Sequence, residues 1–421
     1  MPLQLAKVAI TLHVTKLTER SNLMASVVKP FLATYYNPKI TKNHSKLVCP
    51  PYDVISKKEL AALRKKSLYN FSKVLIADDK NYKKAGATLN KWIKNRILVD
   101  DDQECFYLYE QKFKVEGKNF VRFGILGLLR MDKKGIFPHE YTLRAPKEDR
   151  KKIIRATKAN LSPIFVIAAK QLRTFKQIYK NYCRKKPFFK FKDSQENTNR
   201  IWRIHDKSQI DKLRKEIDKC KLVIADGHHR FEISHDYFKK NKGRFKDLNF
   251  ILAYITDCQK GLNILPTHRI VELGEPLNQV FKKLEGLFTI SKVNQSAIEN
   301  KLKSKGKFSF GIYKDNRFYL LTLKKSSSLD KIPDKIYKQL DTYVFHYLVL
   351  PLLKINDSIE YTHSVSGAKK IAGKKRTAFL LKAVSLDEVF RISSKGFRLP
   401  QKSTYFYPKV LSGVAIRRFR K

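Results

Sequence analysis

The densest chemistry in this sequence lies in the run Val223-Ile224-Ala225-Asp226-Gly227-His228-His229-Arg230-Phe231-Glu232. A compact apolar stretch runs straight into Asp-Gly and then into a helical pattern whose first turn carries two histidines and an arginine. Helix N-termini present free N–H groups and a partial positive charge, so they suit phosphate. Gly227 lets the backbone approach a ligand closely, with His228 and His229 beside it, and Arg230 can fork two oxygens of a polyphosphate. Asp226 is the candidate Mg²⁺ ligand, since magnesium takes one or two carboxylates plus substrate phosphates. The plainer reading makes Asp226 an N-cap with the histidines packed on neighbours. An apolar strand feeding five consecutive polar or glycine residues favours the phosphate site.

Four further clusters deserve weight. Phe137-Pro138-His139-Glu140-Tyr141-Thr142 places His139 beside Glu140, a carboxylate suited to general-base work on a hydroxyl; a turn with an ion pair fits equally well. Pro50-Pro51-Tyr52-Asp53 stiffens a loop that offers one carboxylate, Asp53. Leu265-Pro266-Thr267-His268-Arg269 sets His and Arg beyond a strand, making Arg269 a phosphate candidate. Leu399-Pro400-Gln401-Lys402-Ser403-Thr404-Tyr405-Phe406-Tyr407-Pro408-Lys409 is an aromatic strand edge in which Lys402 can meet phosphate or stand as a solvated charge. Other signatures fail. Gly367-Ala-Lys-Lys-Ile-Ala-Gly373-Lys374-Lys375 imitates a phosphate loop but has one residue too many between its glycines and a lysine where Ser or Thr belongs. No H-x-x-x-H pattern supports zinc.

The elements that must position these residues alternate short strands with helical periods. Ser56-Lys-Lys-Glu59 is a capping box opening a helix to about Lys66. Residues 80–96 form a helix with Ala85, Leu89, Trp92 and Ile93 on one face. Cys105–Val115 and Phe120–Leu129 read as a hairpin around Glu116-Gly117-Lys118, and Pro146–Asn160 as a helix. The polar, Lys-rich stretch 171–220 reads as a basic helical connection. The strand Lys221–Ala225, the helix His228–Lys240 and the strand Phe250–Thr256 follow. Residues 273–330 read as a small α+β insertion, and Pro333–Leu350 as a helix that Pro351 limits. The expected fold class is therefore α+β with mixed, largely antiparallel sheets. Its expected parts are an extension at 1–23 ahead of a start at Met24, an N-terminal part at 24–170, the connection at 171–220 and a C-terminal part at 221–421.

Length and composition bound the function. The 421 residues are 43% hydrophobic and 12% aromatic, which excludes a disordered chain and supplies two or three domains' worth of core. Against 38 acidic residues stand 88 Lys and Arg, a formal charge of +50. The excess is spread along the chain, with only windows 101–150 and 251–300 near neutral, and Lys predominates. No zinc finger, RNP motif or basic zipper accompanies it, so nucleic acid is expected as a non-specific, salt-sensitive partner at most. The longest apolar runs, Phe123–Leu129 and Tyr347–Leu353, fall short of a membrane helix. Five scattered cysteines without a C-x-x-C pair, and no signal peptide at the start, make a reducing cytoplasm the expected home.

Taken in order, the motifs resemble those of the family known as domain of unknown function 1015, from about Val28 to Ile416. The residues carrying the resemblance are Pro30-Phe31, Tyr36-Asn37-Pro38, Pro50–Ser56, Pro138-His139-Glu140, Ala159–Phe165, Asp226–Arg230, Leu265–Arg269 and Gln401–Lys409. The residues before Met24 depart from the pattern. Asp226–Arg230 is also similar to the Gly-x-x-Arg phosphate motif of the ParB-like group, which includes nucleotide-binding partition proteins and free serine kinases. That shorter resemblance implies a ParB/serine-kinase-like nucleotide site at Gly227–Arg230, with ATP or ADP as phosphate donor and a small hydroxy amino acid as acceptor. Glu140 and Asp53 are then the candidate bases. The leading expectation is an Mg²⁺-dependent phosphotransferase on a small metabolite, free L-serine first. The alternatives are a non-catalytic nucleotide- and nucleic-acid-binding module, and a metal-dependent hydrolase built on His139, Glu140, His228 and His229.

Overall fold

The computed structural model describes residues 26–132, 134–142, 144–304, 308–324, 326–332, 334–355 and 359–421. The extension read at 1–23 and the start at Met24 lie outside them. The chain is an α+β mixture in two units. The first comprises the residues up to Ile136 together with Leu143–Gly261 and Pro408–Lys421; the second comprises Phe137–Thr142 and Leu262–Tyr407.

The first unit is built on a sheet of β1 (Val28–Lys29), β2 (Phe106–Val115), β3 (Lys118–Arg130), β4 (Ile164–Ala168), β5 (Phe189–Lys192), β6 (Thr198–Ile204), β7 (Leu222–Asp226) and β8 (Phe250–Thr256). Its order runs β7-β4-β8-β3-β2-β6-β5, with β1 on β3. The pairings are antiparallel except that of β4 with β8. The β2–β3 hairpin closes through Glu116-Gly117, both at positive φ (48° and 78°), the conformation that a two-residue turn needs to follow strand twist. Every residue of β8 is buried, in keeping with its apolar run from Phe250 to Ile255.

Helices α1 (Lys57–Lys66), α2 (Tyr82–Lys94) and α3 (Arg144–Thr157) build one core. It joins Leu63, Leu89, Trp92 and Ile153 to Leu161 and Ile416. The capping box forms as the sequence implies: Glu59 N–H donates to Ser56 Oγ at 3.2 Å and Ser56 N–H to Glu59 Oε2 at 2.8 Å. A second core packs α4 (Arg173–Tyr182) and α5 (Lys207–Ile217) on the sheet through Phe175, Ile178, Leu213 and Ile217.

Stretch 171–220 differs from its sequence reading. Between α4 and α5 it forms β5 and β6, and β6 pairs with β2 along its whole length. Lysines mask the alternation there: Phe189 and Phe191 are buried while Lys190 and Lys192 are exposed. Residues 221–261 also belong to this first unit rather than beginning a separate C-terminal part.

The second unit holds a six-stranded antiparallel sheet of β10 (His268–Val271), β11 (Phe288–Val293), β12 (Ser309–Lys314), β13 (Arg317–Leu323), β14 (Glu360–Thr362) and β15 (Thr377–Leu380). Its order is β11-β13-β12-β15-β10-β14. A separate pair joins β9 (Asn263–Leu265) to β16 (Tyr405–Tyr407). Residues 273–330 therefore supply three strands to a sheet completed by β10 ahead of them and by β14 and β15 after them. Where the sequence predicts one helix from Pro333, which lies outside the described residues, to Leu350, continuous helix starts only at Asp341 and changes type along its length: α at Asp341–Val344, π at Phe345–Val349 and a last α turn at Leu350–Leu352. Leu340 is extended, which breaks the run ahead of it. Among the described residues no helix is long and apolar enough to cross a membrane.

At Gly86, α2 lies close against α3. A Cβ placed there would sit 2.5 Å from the carbonyl oxygen of Ala156. Gly86→Ala gains about 1 kcal/mol of helix propensity, but the collision with fixed backbone costs about 1–3 kcal/mol. The expected result is a lower urea midpoint. Gly274→Ala, which meets nothing within 4 Å, is expected to stay within about 0.5 kcal/mol of wild type.

Candidate phosphate site and a histidine–glutamate relay

In the first unit, β7 is buried through Ala225 and ends at Asp226. Gly227 then turns the chain at φ 88°, a left-handed conformation that glycine adopts without strain. The helix α6 (His228–Lys240) starts at once, its first intrahelical bond running from Phe231 N–H to Gly227 O at 2.9 Å. Gly227 gives that helix no side-chain cap. A Cβ at Gly227 would lie 3.0 Å from the Arg230 guanidinium, which folds back over the turn.

Asp226 is the hub. Arg230 Nη2 donates to its Oδ2 at 2.5 Å, and the ammonium of Lys409 donates to its Oδ1. Arg230 Nη1 also donates to the carbonyl of Pro163. The three charged side chains are between 10% and 13% exposed. Burial pushes the Asp226 carboxyl up, but Lys409 and Arg230 outweigh it and hold the acid far below the usual carboxylate range. His228 is buried and adds to that effect, while His229 is half-buried.

Asp53 sits in the short helical turn Tyr52–Val54 of the same unit. Tyr52 is under Arg150, whose guanidinium carbon is 4.2 Å from the ring centroid. Burial raises the Tyr52 hydroxyl, Asp53 raises it further, and Arg230 and Arg150 oppose the rise. A small cavity of about 50 Å³ opens here, lined by Tyr52, Arg150, Ser162, Arg230, Ile233 and Ser234 among others.

The second unit gathers His139, Glu140, Arg269 and Lys402 around one short segment. Leu399 N–H bonds to His139 O at 2.7 Å and Tyr141 N–H to Leu399 O at 3.3 Å. Glu140 Oε1 accepts both the backbone N–H (2.9 Å) and the hydroxyl (2.7 Å) of Thr404. His139 Nε2 is 2.8 Å from the same hydroxyl oxygen. With the threonine proton directed at Glu140, His139 supplies the Nε2–H donor, giving a relay from imidazole through hydroxyl to carboxylate.

Arg269 is fully buried and bonds neutral acceptors: the Thr267 carbonyl, His346 Nε2 at 3.2 Å and the Lys402 carbonyl at 3.5 Å. Burial lowers Arg269 to about 10, with Tyr361 and Glu140 opposing the fall. Burial and the Arg269 charge push His346 down to about 3, so it stays neutral and accepts. Lys402 meets this network through its backbone, in a left-handed conformation at φ 55°.

The sequence-read residues thus form two groups. Asp226, Gly227, His228, His229, Arg230 and Asp53 lie in the first unit, and His139, Glu140, Arg269 and Lys402 in the second. Sequence reasoning missed Lys409 and Thr404, both inside the motif from which Lys402 was taken. It also set Asp226 aside for magnesium. Both its oxygens hold cations of the chain, and among the described residues no group of three or more His, Cys, Asp or Glu can hold a metal ion. The residues present do not make a magnesium site on their own, and a four-residue metal-hydrolase centre gains no support.

The family model described as "Protein of unknown function (DUF1015)" matches residues 28–343. No curated protein matches the chain. Similar solved structures include a conserved hypothetical protein from Pyrococcus furiosus, 14% identical, with a TM-score of 0.36 over 68% of this chain and 92% of that one. A free serine kinase variant in complex with ADP is 15% identical, with a TM-score of 0.37 over 67% and 87%. SbnI with a C-terminal truncation, from Staphylococcus aureus, is 13% identical, with a TM-score of 0.38 over 68% and 85%.

Replacing Asp226 by Asn leaves Arg230 and Lys409 facing each other without the carboxylate, and is expected to lower stability at pH 7 by about 3 kcal/mol. The sign with pH follows from the depressed acid: its contribution is full above the unfolded-state value of about 4 and fades as pH falls toward the lower folded value. Urea unfolding of wild type and variant should therefore converge at acid pH. A gap that does not narrow on acidification would show that Asp226 is not the ionised partner.

Proposed function

The chain belongs to the DUF1015 family of proteins of unknown function, and we propose that it is a nucleotide-dependent phosphotransferase acting on the hydroxyl of a small metabolite, free L-serine being the best-motivated acceptor. The observation that carries this reading is the pair of cations, Arg230 and Lys409, held on one carboxylate at the glycine turn that opens α6. Two positive charges against one negative, at the positive end of a helix, favour the charge-rich oxygens of a polyphosphate. When phosphate arrives, Arg230 and Lys409 can keep Asp226 as anchor while turning remaining donors to the ligand, since a guanidinium has five N–H groups and an ammonium three.

In this reading the acceptor hydroxyl oxygen forms a bond to the terminal phosphorus of ATP or ADP. The bond from that phosphorus to the bridging oxygen breaks, the nucleotide leaves one phosphate shorter, and the hydroxyl proton passes to a carboxylate. Phosphoryl transfer asks mainly for positioning and charge stabilisation, which fixed cations supply. Magnesium enters only as the counter-ion carried on the nucleotide's phosphates. Asp53 and Glu140 are the two candidate bases. A cytoplasmic location accords with a nucleotide and amino-acid substrate.

Phosphorus NMR of the protein with Mg²⁺, L-serine and either ATP or ADP tests the reading directly. O-phosphoserine is expected to appear with one of the donors. Arg230→Ala and Lys409→Ala should each slow turnover by about 10²-fold, the scale for losing one charge-stabilising donor. The true base, replaced by its amide in Asp53→Asn or Glu140→Gln, should cost about 10²–10⁴-fold, and the other far less. Full activity in Arg230→Ala, or a wild type that binds neither nucleotide, would overturn the assignment.

A further inference from the structure

Lys409 reaches Asp226 from a stretch of chain with no regular structure: residues 408–411 belong to no strand or helix. A lysine on a flexible four-carbon stem is a poorly aimed charge unless its own backbone is fixed. Two fully buried polar side chains on the β2–β3 hairpin do the fixing. Gln111 and Arg122 face each other directly across the hairpin, and both are 0% exposed. Arg122 Nη2 donates to the Pro408 carbonyl at 2.5 Å and to Gln111 Oε1 at 2.5 Å. Gln111 Nε2 donates to the Lys409 carbonyl at 3.1 Å.

We infer that Gln111 and Arg122 are positioning residues for the candidate phosphate site: by holding the consecutive carbonyls of Pro408 and Lys409 they aim the Lys409 ammonium at Asp226. Burying an amide and a guanidinium in a sheet is costly without such partners. The pair is itself held in place. The Arg122 guanidinium carbon lies 4.7 Å from the Phe165 ring centroid and 5.6 Å from that of Tyr254. Gln111 Nε2 also reaches Asn199 Oδ1 at 3.3 Å, which accepts the Tyr109 hydroxyl at 2.7 Å. The backbone behind Arg122 cannot retreat, because Gly261 packs so closely that a Cβ on it would lie 2.0 Å from the Val121 carbonyl oxygen. Only the effect of this relay on nucleotide binding rests on the phosphate reading of Lys409; the aiming itself does not.

Gln111→Glu separates the two. The carboxylate still pairs with Arg122 but cannot donate to the Lys409 carbonyl. The first readout is the rate of reductive methylation of Lys409 in the full chain, followed by mass spectrometry, with circular dichroism confirming the fold. Lys409 is expected to react at least tenfold faster in the variant than in wild type. An unchanged rate in a folded variant would overturn the proposal. The second readout is ADP affinity in a double-mutant cycle with Lys409→Met. Gln111→Glu should weaken binding about tenfold when Lys409 is present and less than twofold when it is absent. Equal weakening in both backgrounds would make Gln111 a general structural residue and sink the inference. If Lys409→Met binds ADP like wild type, the phosphate reading fails while the methylation result still decides the positioning. Gln111→Met, which keeps the length and loses both polar atoms, serves if the glutamate variant does not fold.

Discussion

One carboxylate shared by two cations organises the first unit. Asp226 ends a buried strand, Arg230 lies in the first turn of the helix that follows, and Lys409 comes from the far end of the chain. Each alone would be an expensive charge to remove from water. Together they leave a net positive charge close to a helix N-terminus, the combination that makes a site receptive to an anion without leaving it empty of partners when none is bound. The contact also ties two distant pieces of chain together, the strand-turn-helix at Asp226–Arg230 and the C-terminal segment that carries Lys409.

The second unit solves a similar problem by other means. Arg269 is fully buried, yet its hydrogen bonds run to two carbonyls and an imidazole that burial keeps neutral, with Tyr361 and the charge of Glu140 acting on it from nearby. Glu140 draws its hydrogen bonds from Thr404. Charge is thus bonded directly to charge at Asp226, while the hydrogen bonds of Arg269 go to neutral dipoles. The first arrangement is mobile in principle, because an incoming anion can compete for the same donors. The second fixes backbone, and suits a residue whose task is to hold a loop in shape.

Much of this was legible in the sequence where local chemistry dictates structure. The capping box at Ser56, the hairpin at Glu116-Gly117 and the strand-turn-helix at Asp226–Arg230 are each determined by residues within a few positions. What was hidden depends on partners far along the chain. Lys402 and Lys409 are equivalent as letters in one motif; what sets Lys409 apart is its bond to Asp226 and the hold of Gln111 and Arg122, about three hundred residues away, on the Pro408 and Lys409 carbonyls. The edge strand Phe189–Lys192 was obscured by its lysines, which mark a solvent face rather than a helix. The break before Asp341 was equally invisible, since nothing local in Ile336–Leu340 demands an extended Leu340.

The charge of +50 bears on the candidate site in an indirect way. A field of that size draws any polyanion toward the surface, and salt weakens it over about a Debye length. It cannot choose among polyanions, because lysines spread along the whole chain present no fixed geometry. Choice must come from donors whose positions are set before the ligand arrives. Arg230, folded over Gly227 and tied to Asp226 and Pro163, is such a donor. Lys409 becomes one only through the buried hairpin pair behind it. Discrimination therefore belongs to the few cations whose freedom the fold removes, while the many that remain mobile contribute attraction alone.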